Sequence, residues 1–166
     1  MGLLMGGKKP FIDKLQMVFD EGLYDPANEP DIAYPYLFSY FKGEEWRTQK
    51  ETQRLLDKYF TTKPDGIPGN DDTGTMSSWA IFNMIGFYPD CPGLPEYTLT
   101  TPVFDKVTIR LDPKWYKEKE LVIESNRAQP GTLYINKVLL NGKKFNKYRI
   151  THDELVHGQH IYFDLK

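Results

Sequence analysis

One cysteine, Cys91, stands in 166 residues. A lone cysteine excludes an internal disulfide framework and gives little indication of compartment. Histidine is scarce too: His152, His157 and His160 all lie near the C-terminus. No cysteine accompanies them and no HExxH helix contains them, which argues against a zinc site. Positive charge is not in excess. Lys and Arg number 21 against 23 Asp and Glu, a net charge of -2 with no basic tract, so the clustered cationic face of a nucleic-acid binder is missing. Long apolar runs are missing as well. MGLLMGG at the start is too short to span a bilayer and lacks the layout of a signal peptide, so the expectation is no membrane span. That points to a cytosolic chain unless this is a piece of something longer.

What is present is enough for one ordinary domain with a folded core, since hydrophobic residues reach 40% and charged residues 27%. The pattern changes period part-way along. Residues 8–86 read as helical. Pro10 suits a first turn, and Ile12, Leu15, Val18 and Phe19 share a face. Pro30 and Pro35 restrict the next helix to about 34–41, leaving NEPD in the loop before it, because interior proline costs about 3 kcal/mol. A third helix is expected over 45–60. Thr48 and Glu51 have capping-box spacing there, but Trp46 and Arg47 ahead of them already belong to the helix. A fourth is expected over 75–85, apolar nearly all round and so buried on most sides, with Gly86 as its cap. FYPDCPGLPEY reads as a proline-rich connector. From residue 97 the period is two, with about five strands, a hairpin turn at Asn141 and a helical turn capped by Thr151 and Glu154. Four helices then strands make an odd domain alone, and a helix apolar on all sides needs more helices around it.

Two acidic loops could carry chemistry. In GIPGNDDTG, Asp71 and Asp72 stand side by side before the fourth helix. They could cap it, bind a cation, or act as an acid or base. An EF-hand is excluded, because Thr75 stands where glycine is needed and Ile81 where glutamate is needed. In NEPD, Glu29 precedes a proline and is held extended, either as a plain surface acid or as a positioned ligand. Aromatic residues crowd the helical half, from Tyr34 to Tyr88. Most of them suit a core, although rings beside carboxylates also suit a sugar site.

The stretches NEPDIAYPYLFSYFKGEEWRTQ, PDGIPGNDDTGTMSSW, GFYPDCPG and TTPVFDKVTIRL, with LMGGKKPF before them and LNGKKFNKYRITHDEL after, closely resemble the C-terminal part of family 92 glycoside hydrolases. The likeness covers nearly the whole chain. It implies an α+β chain: about four C-terminal helices of an (α/α)6 barrel over residues 1–96, then an antiparallel β-rich region over 97–166. It also implies calcium-dependent, inverting removal of terminal α-mannose from N-glycans or mannan. Asp72 matches the general base, with Asp71 its neighbour at the catalytic centre. Asn28 and Glu29 match the NEP loop at the calcium subsite, and Glu29 and Asn70 match substrate-binding positions. Some members carry a further Asp where this chain has Asn70. The family's general acid belongs to a motif ahead of NEP with no counterpart here, so the partner implied is the preceding part of the same enzyme, and the fragment alone is expected to be inactive. Bacterial members are usually exported, which implies a periplasmic, cell-surface or secreted protein. The rival reading is a non-catalytic carbohydrate-binding or structural module, in which NDD is only a cap.

Overall fold

The computed structural model describes residues 1–129 and 131–166. It divides into two compact units, Met1–Ser78 and Trp79–Lys166.

The first unit is helical. Helix α1 spans Lys8–Asp20 and buries Ile12, Leu15 and Phe19. A run of 3-10 turns follows over Glu29–Tyr40, with Pro30 in its first turn and Pro35 inside. The expectation of a loop at NEPD and a helix from 34 is corrected here. Pro35 has no N–H for an i→i−4 bond, and the chain winds in tighter turns that begin at Glu29. Tyr36 and Phe38 from this run are fully buried. Helix α2 spans Glu45–Tyr59. Its Thr48 lies inside the helix and donates its hydroxyl to Pro35 O at 2.8 Å.

Glu51 of α2 is fully buried and ties α2 to α1. Gln16 donates to its Oε1 at 2.9 Å. Its Oε2 lies 2.7 Å from Arg54 Nε but lacks hydrogen-bond alignment, so that contact is one of charge. Arg54 also donates to Phe19 O at 3.0 Å. Helix α3 spans Thr75–Ile85, the bounds the sequence implied. Met76, Trp79, Ala80 and Asn83 are buried, but Ile81 is 54% exposed. The helix is thus buried on most sides, as its apolar pattern implied, with Ile81 the exposed exception among its apolar residues.

Among its described residues the second unit holds eight strands, where about five were expected. Strands β1 (Phe87–Tyr88), β2 (Glu96–Leu99) and β7 (Arg149–Thr151) form a three-stranded antiparallel sheet in the order β1-β2-β7. The proline-rich connector thus supplies two strands. Strands β3 (Lys106–Arg110), β4 (Glu120–Arg127), β5 (Ile135–Leu140), β6 (Lys143–Phe145) and β8 (His160–Leu165) form a second sheet in the order β3-β4-β8-β5-β6. Its β4–β8 pair is parallel and the others antiparallel, so the sheet is mixed. The β5–β6 hairpin turns at Asn141 and Gly142, both at positive φ, as a two-residue I′ turn requires. The core of this unit gathers Leu121, Ile123, Val138, Ile161, Phe163 and Leu165 with Phe87, Leu99 and Ile150.

Helix α4 spans His152–Gly158 and starts with the expected capping box. Thr151 Oγ1 accepts from Glu154 N, and Glu154 accepts from Thr151 N. The Thr151 N–H, then Lys147, holds the Glu154 carboxyl below its ordinary range. A depressed carboxyl stabilises the fold above its unfolded pKa and loses that effect as pH falls through its folded value. Thr151→Ala is expected to cost about 1 kcal/mol at neutral pH. Glu154→Gln is expected to cost stability at neutral pH and progressively less in acid, as urea melts at several pH values will show. The histidines are engaged separately. His152 lies between the Tyr97 and Tyr116 hydroxyls at 2.9 and 3.2 Å, His157 lies by Asp153, and His160 by Glu124. No helix among the described residues is long and apolar enough to cross a membrane.

Candidate active site

The two acidic loops meet in the first unit. The NEP loop is knotted by its own polar groups. Asp25 Oδ1 accepts from Ala27 N at 2.9 Å. Asn28 N donates to Asp25 O at 3.1 Å and Asp31 N to Asn28 O at 2.9 Å. At the centre is the carboxylate of Asp31, 8% exposed. It accepts from Asp25 N and from Asn28 Nδ2, each at 3.2 Å, and from the Tyr34 hydroxyl. The Asp31 charge, then burial, then that bond raise the Tyr34 phenol above its ordinary pKa, so it stays protonated as a donor. Reading the sequence missed Asp31. The available signal was an acid three residues after Asn28 and three before Tyr34.

The NDD loop is seated on this knot at Gly69. Its φ is +64°, and a Cβ placed there would lie 2.5 Å from the Ala27 Cβ and 2.9 Å from the Ala27 Cα. Only glycine permits both the left-handed backbone and that approach. The structure thus brings the NEP and NDD loops together.

Beyond Gly69 the two acids separate in role. The Asp71 carboxylate accepts from Ser77 N at 2.7 Å and from Ser77 Oγ at 3.0 Å. Ser77 is the third residue of α3, so Asp71 satisfies a free N–H of the helix start and sits at the positive end of its dipole. Asp72 takes the opposite course. Its backbone is pinned, with Thr75 N and Thr75 Oγ1 donating to its carbonyl at 3.2 and 2.8 Å. Its side chain is exposed and has no hydrogen-bond or ionic partner among the described residues. Asp72 and Thr73 stand consecutively at φ 42° and 63°. Two adjacent non-glycine residues in the left-handed region cost on the order of 1 kcal/mol each, and such strain clusters at functional sites. Asn70 and Glu29 are likewise exposed, without side-chain partners among the described residues.

This pair of loops lies within a single recognisable unit of sequence. The model of the Glycosyl hydrolase family 92 catalytic domain matches residues 1–166. The chain belongs to that family.

Within family 92 the chain corresponds to a C-terminal portion. It is similar to the alpha-mannosidase BT3965 of Bacteroides thetaiotaomicron, with a TM-score of 0.84 and 31% identity over 96% of this chain and 21% of that one. BT3965 has also been solved in complex with mannoimidazole. The inverting mannosidase BT2199 of the same organism matches with a TM-score of 0.84 and 31% identity, over 99% of this chain and 25% of that one. An "Uncharacterized secreted glycosidase" of Arthroderma benhamiae is 29% identical over 155 residues, which is 93% of this chain and 20% of that protein. The chain therefore spans about a fifth to a quarter of the length of these relatives.

A calcium ion takes six to eight oxygen ligands. Among the described residues no group of three or more His, Cys, Asp or Glu is placed to hold a metal. Asn28 turns its Nδ2 inward to Asp31, and among the described residues its Oδ1 and the neighbouring Glu29 carboxylate have no partner. These are the right donor type, but two residues do not make a calcium site.

Proposed function

We propose that this chain is the C-terminal part of a calcium-dependent, inverting exo-α-mannosidase that removes terminal α-mannose from N-glycans or mannan. On this reading residues 1–96 are the last helices of an (α/α)6 catalytic barrel and residues 97–166 its β-rich continuation. The names of the similar mannosidases support the substrate class, and the secreted relative supports an exported protein, whether periplasmic, at the cell surface or released. The observation that carries the reading is the free carboxylate of Asp72 on a pinned, strained turn beside the NEP loop.

Inverting hydrolysis needs an acid and a base about 6.5–9.5 Å apart, with a water between the base and the anomeric carbon. Asp71 and Asp72 cannot be that pair, since neighbours on one turn cannot flank a glycosidic bond from opposite faces. Asp72 is the base. Its free oxygens take a proton from water while its fixed backbone holds them on one line of approach. Asp71 holds the turn on α3, and its bonds to Ser77 leave it acting as a cap. The acid comes from elsewhere in the protein. Glu29 and Asn70 face the sugar, with Asn28 and Glu29 contributing oxygens toward a calcium site completed by the rest of the enzyme, the glycan and water. Bound calcium would hold and polarise sugar hydroxyls.

Proton NMR of an α-mannoside hydrolysed by the full-length protein tests the class directly. β-Mannose is expected to appear first, and α-mannose appearing first would contradict inversion. The 166-residue chain alone is expected to release no mannose with or without calcium. Calcium-dependent turnover by it would place a complete active site within these residues.

A further inference from the structure

We infer that Asp31 is a positioning residue, and that the knot it centres joins the NEP loop and the base loop into one mechanical unit through Ala27 and Gly69. The inference rests on the reading of Asp72 as base and goes beyond it, because neither Asp31 nor Gly69 touches substrate on that reading.

A carboxylate as buried as Asp31 loses its hydration and needs compensation. No cation among the described residues supplies it. Compensation comes from three donors: a backbone N–H, an amide and a phenol. Each donor fixes a different point of the loop, at Asp25, Asn28 and Tyr34. The amide bond sets which way Asn28 Oδ1 faces, and the turn it closes carries Glu29. The Asp25 side chain in turn fixes Ala27 N at 2.9 Å. Ala27 is the seat of Gly69, with no room for a side chain between them. The base loop is then held at its start on Ala27, at Asp71 on Ser77, and at the Asp72 carbonyl on Thr75. A shift of Asp31 therefore has a covalent and steric route to both Glu29 and Asp72. A loop needing only stability could be packed with apolar groups, whereas a buried polar hub specifies one geometry.

The test uses the full-length protein with Asp31→Asn, Gly69→Ala and their combination, and with Tyr34→Phe as a milder change. The amide in Asp31→Asn has one acceptor oxygen where the carboxylate had two, so a donor goes unmet. Asp31→Asn and Gly69→Ala are each expected to lower kcat by about ten- to a hundredfold in protein that remains folded, the scale of a small misplacement of catalytic groups. Tyr34→Phe is expected to give a smaller fall in the same parameter. The double variant is expected to be no worse than the poorer single, because both break one linkage. Effects of the two substitutions that multiply would overturn the coupling. Unchanged kcat in Asp31→Asn and Tyr34→Phe, alongside lost turnover in Asp72→Ala, would overturn the positioning role while leaving the base role standing. A silent Asp72→Ala would overturn both.

Discussion

Replacing Asp72 by alanine in the full-length protein is expected to lower kcat for α-mannoside hydrolysis by roughly 10²–10⁴, the range a general base contributes, with little change in thermal stability. The expectation follows from what Asp72 does and does not touch. Its carboxylate is exposed and has no partner among the described residues, so removing it breaks no bond of the fold. The backbone contacts from Thr75 survive the change. Asp71→Ala gives the contrasting result. It frees Ser77 N, leaves Ser77 Oγ only Gly74 O at 3.2 Å as acceptor, costs about 1 kcal/mol of stability as a lost cap, and is expected to lower turnover only as far as the loop moves. Paired kinetics and thermal melts on the two variants separate the roles of neighbouring acids. A large stability loss with unchanged turnover in Asp72→Ala would return NDD to a simple cap.

The largest stability effect is expected at Gly66, in the loop between α2 and the NDD turn. That loop closes on itself, with Thr61 N donating to Gly66 O at 2.9 Å and Gly66 N to Lys63 O at 3.0 Å. A Cβ on Gly66 would collide with Thr61 O and fall 2.8 Å from Lys63 O, both backbone atoms with no flexible end to swing aside. Gly66→Ala is expected to cost about 3 kcal/mol, the upper part of the range for forced overpacking, and to lower activity by moving the turn it precedes. Gly43 provides the control. Its φ is +89°, but a Cβ there meets nothing within 4 Å. Gly43→Ala should cost only the left-handed backbone penalty of about 1–2 kcal/mol. Urea melts of both variants rank the two effects. Gly66 has no left-handed backbone to account for a loss, so a loss no larger than that of Gly43→Ala would mean that the loop gives way to the added Cβ and that close approach does not require glycine at Gly66.

Local chemistry made part of this molecule legible before its fold. Helix α3 was bounded by its apolar run and Gly86, and the α4 start by the Thr151 and Glu154 pair, because each signal sits within a few residues of what it specifies. The Asn141–Gly142 turn was legible for the same reason. The 3-10 run from Glu29 was not, since two prolines indicate where an α-helix fails without saying what replaces it. Strands β1 and β2 were hidden in a proline-rich stretch: β1 has two residues, too few to show a period, and its partner is supplied by the sheet. The parallel pairing of β4 with β8 joins residues far apart in sequence, which periodicity does not address.

At the site, residue types and motif order singled out both loops. Their meeting depends on Gly69 against Ala27, a contact between two small residues with no signature of its own. The division between Asp71 and Asp72 was legible only in outline. Geometry excluded them as an acid and base pair, but only the bonds to Ser77 distinguish the acid that caps from the acid left free.

Azide rescue of Asp72→Ala tests that division most directly. If the proposed base is removed from the full-length protein, azide can attack the anomeric carbon from the face the activated water would use. Azide is expected to restore turnover of an activated α-mannoside by Asp72→Ala, with β-mannosyl azide as the product, and to have no such effect on Asp71→Ala. Rescue of Asp71→Ala in place of Asp72→Ala, or an α-configured azide, would contradict that division.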